Sequence, residues 1–303
     1  MAVKLARIGL TSADPDRLAD FYESALGFKR LHPSSPAARH DGGGAVVSAQ
    51  TVVLRLGDQI VDLTAFDPPG APYPGDVPGW SPLFQHFAII VSDMAAAYAR
   101  LSAQPGWRPI STEGPQRLPD SSGGVTAFKF RDPEGHPLEF LAFPEGEAPA
   151  FWKRPDAADV CLGIDHSAVS VADTERSVRF YESFGCSVSA RSHNVGPEQA
   201  RLDGLDDSDV AVTGLSLPGQ AAPHIELLCY RGAFDRSVTL SAADDVAGTR
   251  LVLAFDSHDA FAAACAEHRE NLVSSQTTDD TNGRAEALLR DPDGHLLLLT
   301  TDA

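Results

Sequence analysis

DPDRLADFYESALGF, residues 14–28, returns later in the chain as DTERSVRFYESFGC, residues 173–186. In both copies an Asp stands seven residues before Phe-Tyr-Glu-Ser. Asp14 and Asp173 are placed to cap the helix that follows, and in the first copy Leu18, Phe21, Tyr22 and Leu26 recur at helical spacing. A second echo sets FRDPEGHPLEFLAF, residues 130–143, against LRDPDGHLLLLTT, residues 289–301. There Asp-Pro-x-Gly reads as a hairpin turn between two apolar strands.

The echoes alternate. Phe-Tyr-Glu-Ser units open the first and third quarters, and Asp-Pro-x-Gly-His hairpins close the second and fourth. Fainter similarities complete each unit: HFAIIVSDMAAAYARL from His86 and RLVLAFDSHDAFAAAC from Arg250 read as strand then helix, while DQIVDLTAF and PHIELLCY read as closing strands. Every quarter thus reads as strand, helix and three strands, near residues 4–66, 84–143, 163–230 and 248–301. The intervening Pro- and Gly-rich segments, residues 67–82 and 144–159, read as linkers. Two domains are expected, 1–146 and 160–303, which agrees with a length of 303 residues.

Composition narrows the function. A formal charge of −18 repels phosphate backbones, which argues against nucleic acid. No apolar run suits a signal peptide or a membrane span. Cys161, Cys186, Cys229 and Cys265 form no Cys-x-x-Cys pair, so a reducing cytoplasm is the simpler setting than a disulfide framework. Gly-x-Ser-x-Gly is absent, and the glycine pairs at 41–44 and 121–124 lack the strand-to-helix context of a phosphate loop.

A βαβββ unit leaves one sheet face uncovered and must pair with another. On these motifs the chain resembles the vicinal oxygen chelate superfamily, which includes glyoxalase I, extradiol dioxygenases and bleomycin- or fosfomycin-resistance proteins. The resemblance covers nearly the whole chain. It implies an α+β fold, with the four βαβββ modules paired into two eight-stranded cup-shaped half-barrels. It also implies a metal in a cup, held from the first and last strands of paired modules.

Aligning the modules on their own landmarks carries those positions over. Seven residues before each helix-capping Asp stand Arg7, His86, His166 and Thr249, the last counted from Asp256. The last-strand position holds Asp62, Glu139, Glu226 and Leu298. Arginine offers no lone pair, so Arg7 is expected to pair with Asp62. If modules pair one-two and three-four, each cup has an incomplete ligand set. If two pairs with three and one with four, His86, Glu139, His166 and Glu226 form one complete site, as fused glyoxalase I-like chains do. The crossed pairing is favoured because it puts all four good ligands together.

Two imidazoles and two carboxylates suit one divalent ion: zinc, nickel, iron, manganese or cobalt. The expected function is a metal-dependent glyoxalase-like isomerase or lyase acting on a small molecule chelated through vicinal oxygens. Glu139 and Glu226 are its candidate proton carriers. An extradiol ring-cleaving dioxygenase and a ligand-binding or resistance protein without catalysis are the alternatives. Asn194, Gln199 and Arg201, in the polar segment 191–204, and His224, on the face of Glu226, are candidate substrate contacts. That segment reads as a loop over the cup, as does the stretch around Arg117 and 121–124. His136 falls on the opposite strand face from Glu139 and reads as a turn residue. A small-molecule substrate is the only partner implied, and a homodimer is left open.

Overall fold

The computed structural model describes residues 3–40, 46–154, 157–234, 237–273, 277–279 and 284–301. The glycine run at 42–44 lies outside them. The first module contains β1 (Val3–Thr11), α1 (Pro15–Leu26), β2 (Lys29–His40), β3 (Val46–Leu56) and β4 (Gln59–Asp67). The second contains β5 (Gln85–Val91), α2 (Met94–Ser102), the short β6 (Arg108–Pro109) and β7 (Gln116–Arg117), then β8 (Thr126–Arg131) and β9 (Pro137–Ala142). The third contains β10 (Cys161–Ser170), α3 (Thr174–Glu182), β11 (Ser187–Val195), α4 (Pro197–Asp203), β12 (Asp209–Ser216) and β13 (His224–Tyr230). The fourth contains β14 (Arg250–Phe255), α5 (His258–Glu267), β15 (Thr277–Asp279), β16 (Arg284–Arg290) and β17 (Leu296–Thr300). Among the described residues, no helix is long and apolar enough to cross a membrane.

The helices start where the sequence places their caps. Asp14 accepts from the backbone N–H of Arg17, Asp93 from that of Ala96 and Asp173 from that of Arg176. The fourth module differs, because Ser257 and not Asp256 caps α5. The polar segment 191–204 also departs from a loop. Its first half is the end of β11 and its second half is α4, which buries Gln199, Leu202 and Asp203.

Modules pair crosswise. One eight-stranded sheet runs β15-β16-β17-β14-β1-β4-β3-β2, joining modules one and four. The other has nine strands and joins modules two and three, in the order β11-β12-β13-β10-β5-β9-β8-β6, with β7 beside β8. In module two the short β6 and β7 stand where the other modules have a single strand, which adds one strand to eight. At the centre of each sheet two first strands meet antiparallel, β1 against β14 and β5 against β10. Each is flanked by its own module's last strand, parallel to it.

The hydrophobic cores follow the other pairing. Leu18, Tyr22 and Leu26 of α1 pack in one cluster with Phe87, Phe128, Phe130 and Phe140 of module two. Val178, Tyr181 and Phe184 of module three pack with Leu251, Phe255, Phe261 and Leu297 of module four. Each such side chain, fully buried, contributes about 1.5–3 kcal/mol.

This arrangement explains why the two echoes alternate: they touch. The Tyr22 hydroxyl donates to Asp132 Oδ2, and the Tyr181 hydroxyl to Asp291 Oδ2, both at 3.1 Å. Glu134 accepts from the backbone N–H groups of Ala13 and Asp14 at the entrance to α1. Asp293 likewise receives Arg176 and the Ser177 hydroxyl of α3. His136 is structural, as its strand face implies. It is buried, with Nδ1 2.8 Å from Asp132 Oδ2 and Nε2 2.9 Å from the Thr11 carbonyl, and it ties the turn to the other sheet.

Candidate metal centre and cavity

Strand register decides which side chains share the cup. In the nine-stranded sheet His86 lies opposite Ala168, and His166 opposite Ala88. The same two alanines lie beside the last-strand glutamates, Ala88 beside Glu139 and Ala168 beside Glu226. All four ligand-type residues therefore converge around the β5–β10 seam.

The same rule applied to the other sheet corrects one sequence assignment. Arg7 pairs with Val252 and Gly9 with Arg250, while Gly9 lies beside Asp62 and Val252 beside Leu298. The fourth module's first-strand position is thus Arg250, not Thr249. The error is one residue because the landmark used was Asp256, whereas the cap is Ser257. This cup carries two arginines at ligand positions, neither able to ligate. Arg7 Nε lies 3.0 Å from Asp62 Oδ2, in the expected ion pair, and Arg250 donates to the Thr11 hydroxyl and the Ala243 carbonyl.

In the cup of modules two and three, donor atoms of His86, Glu139 and His166 all lie within 4.8 Å of one another. His86 Nε2 is 3.0 Å from Glu139 Oε2. His166 Nε2 is 3.7 Å from the same oxygen and 3.5 Å from Glu226 Oε2. That His166 nitrogen is buried and makes no hydrogen bond among the described residues. An imidazole nitrogen facing two carboxylates without a hydrogen bond is a donor set that a divalent cation fits.

The electrostatics agree. Burial would raise the Glu139 carboxyl, but the Lys129 ammonium and the two imidazoles outweigh it and hold Glu139 well below the usual range. Burial works the same way on Glu226 and is outweighed by His166 and His224. On His166 burial is overcome by Glu226, Asp165 and Glu139, which raise it well above an ordinary imidazole. His86 is lowered, because burial dominates there. Two ionised carboxylates thus favour positive charge beside His166, whether a proton or a metal ion supplies it.

The centre opens into a cavity of about 380 Å³ whose lining includes Leu118, Val125, Phe143, Val212 and Leu228. Asn194 and Gln199 line it as well. Gln199 Nε2 donates to Asp203 Oδ2 at 2.8 Å, and its Oε1, like Asn194 Oδ1, is buried with no hydrogen-bond partner among the described residues. Arg201 does not line the cavity; its Nε donates to Gln116 Oε1 at 2.7 Å, and its guanidinium lies near Glu113 and Glu198. His224 stands at the side, with Nε2 3.5 Å from Glu226 Oε1 and its ring 5.3 Å from that of His166. Of the glycine segment near 121–124, Ser122 and Gly123 reach the wall, while Arg117 is exposed beside Asp120.

Sequence reasoning missed Lys129, Asp165, Asp203 and Tyr230, which also line or back this cavity. Lys129 lies opposite Glu139 in the β8–β9 ladder and pairs with buried Asp203 at 2.6 Å. A lone lysine inside the apolar run Phe128-Lys129-Phe130 was the available signal.

The family model described as Glyoxalase/Bleomycin resistance protein/Dioxygenase superfamily matches the chain twice, over residues 4–140 and 163–299. No curated protein matches it in sequence. Among solved structures, glyoxalase I from Zea mays is 17% identical, with a TM-score of 0.63, over 99% of this chain and 92% of that one. A point variant of the same maize enzyme gives 17% identity and a TM-score of 0.65 over the same shares. At this identity the likeness establishes the fold.

Proposed function

Because the chain belongs to the Glyoxalase/Bleomycin resistance protein/Dioxygenase superfamily, we propose that it is a metal-dependent, glyoxalase-like lyase or isomerase acting on a small molecule with two adjacent oxygens. The observation that carries this reading is the meeting of His86, Glu139 and His166 donor atoms within 4.8 Å, with Glu226 beside His166. These four side chains would hold one divalent ion: zinc, nickel, iron, manganese or cobalt. When bound, such an ion supplies Lewis acidity toward the substrate's paired oxygens.

The two glutamates take different roles. Glu139 is boxed in between two imidazoles and the strand bearing Lys129, which suits a fixed ligand. Glu226 keeps 22% of its side chain exposed and is ionised, which suits a group that takes a proton from a substrate carbon and returns it to the neighbour. The buried amide oxygens of Gln199 and Asn194 suit hydroxyl or N–H donors on the substrate. His224, beside Glu226, borders the same region.

The test is elemental analysis after loading with each ion, followed by turnover of α-ketoaldehyde–thiol adducts under argon. One ion per chain and metal-dependent, oxygen-independent turnover are expected. Two ions per chain, or none, would defeat the single-site reading. One observation favours a second reading, an extradiol dioxygenase: the tight group is two histidines and one carboxylate, with Glu226 standing off. Oxygen uptake with catechols by the iron-loaded protein would select it.

A further inference from the structure

Neighbouring residues on a regular strand face opposite ways, so Asp165 should point away from His166. It does not. The β10–β5 register slips between Ile164 and His166, and this bulge brings Asp165 Oδ2 to 3.1 Å from His166 Nδ1. Two other parts of the chain hold the bulge. Trp152 in the linker donates its indole N–H to Asp165 Oδ1 at 2.9 Å. Gln59, at the start of β4 in the other sheet, accepts the Ile164 backbone N–H at 3.0 Å. Gly163 makes room for both, since a Cβ there would meet the Trp152 ring at 2.9 Å.

The site's other half lacks this device. Among the described residues His86 Nδ1 is buried without a hydrogen-bond partner, and its neighbour Gln85 donates to Ser167. In the arginine-bearing cup the matching bulge, between Leu5 and Arg7, carries Ala6, which has no acceptor side chain. Of these two bulges, the one with an acidic side chain is the one that a histidine follows.

We infer that Asp165 is a positioning residue for His166. By accepting the Nδ1 proton it fixes the tautomer and aims the Nε2 lone pair at the space between Glu139 and Glu226. Trp152 and Gln59 keep Asp165 in place, so the linker and the arginine-bearing sheet both bear on the metal centre. This rests on the metal-site reading above.

The experiment measures cobalt affinity of the full chain by chelator competition, together with the visible absorption of the bound ion. Asp165→Asn should weaken affinity by ~10–100-fold and shift the cobalt bands. Trp152→Phe should act in the same direction with a smaller effect, and it decides alone if Asp165→Asn does not fold. Wild-type far-ultraviolet circular dichroism in the metal-free variants separates positioning from unfolding. If wild type binds cobalt and both variants match its affinity and spectrum, this inference falls by itself. If wild type binds no cobalt, the metal-site reading falls and takes the inference with it.

Discussion

Breaking the Lys129–Asp203 pair from either side should destabilise the protein unequally, and breaking both sides should cost less than the sum. Nζ and Oδ1 are 2.6 Å apart, and both side chains are almost wholly buried. At an effective dielectric of about 20 the gross attraction is ~6 kcal/mol, most of which offsets the desolvation of two charges. What a single substitution exposes is the charge left behind, about 3–5 kcal/mol. The two leavings differ. After Lys129→Met, Asp203 keeps neutral donors such as Gln199 and Ser208 in place of a cation. After Asp203→Asn, Lys129 still has the Glu139 carboxylate across the ladder. Lys129→Met should therefore be the worse change. With an unfolding entropy of ~2.1 cal/mol/K per residue, a loss of ~4 kcal/mol lowers the melting temperature of a chain this long by about 6 °C. Calorimetry and urea unfolding of the wild type, both singles and the double variant, all in chelator, measure the cycle. Strictly additive losses, or a Lys129→Met melt equal to wild type, would refute the reasoning.

The Arg7–Asp62 pair is more exposed, and Arg7→Ala should destabilise more than Arg7→Ala with Asp62→Ala, by about 1 kcal/mol in thermal melts. His136 is raised because Asp132, Glu134 and the Thr11 carbonyl outweigh burial. Its contribution is complete below the unfolded imidazole value of about 6.5 and is lost as pH rises through the folded value. The stability gap between wild type and His136→Gln should thus narrow from pH 6 to pH 9 in urea titrations, and a constant gap would contradict the assignment. Glu226→Gln should keep metal yet lower turnover by ~10²–10⁴-fold, whereas Glu139→Gln should lose metal first; elemental analysis beside kinetics separates them.

Local chemistry was legible in the sequence. The caps Asp14, Asp93 and Asp173 bond N–H groups three residues away, and the Asp-Pro-x-Gly turns close on their own backbone, so each signal sits inside a short window. Repetition then carried His86, Glu139, His166 and Glu226 to matched positions, because equivalent strands in copies of one module keep the same period. Three features depended on the tertiary structure. The pairing of β5 with β10 joins segments separated by a whole module, and nothing local chooses between the two pairings; only the distribution of ligands hinted at it. Arg250 replaced Thr249 because the β1–β14 register, and not the position of an acidic residue, sets which side chain enters the cup. Asp165 reached His166, and Lys129 reached Asp203, through a bulge and through a helix folded over the cavity. A bulge reverses strand alternation at one residue, and a buried ion pair joins residues 74 positions apart, so neither leaves a periodic trace along the chain.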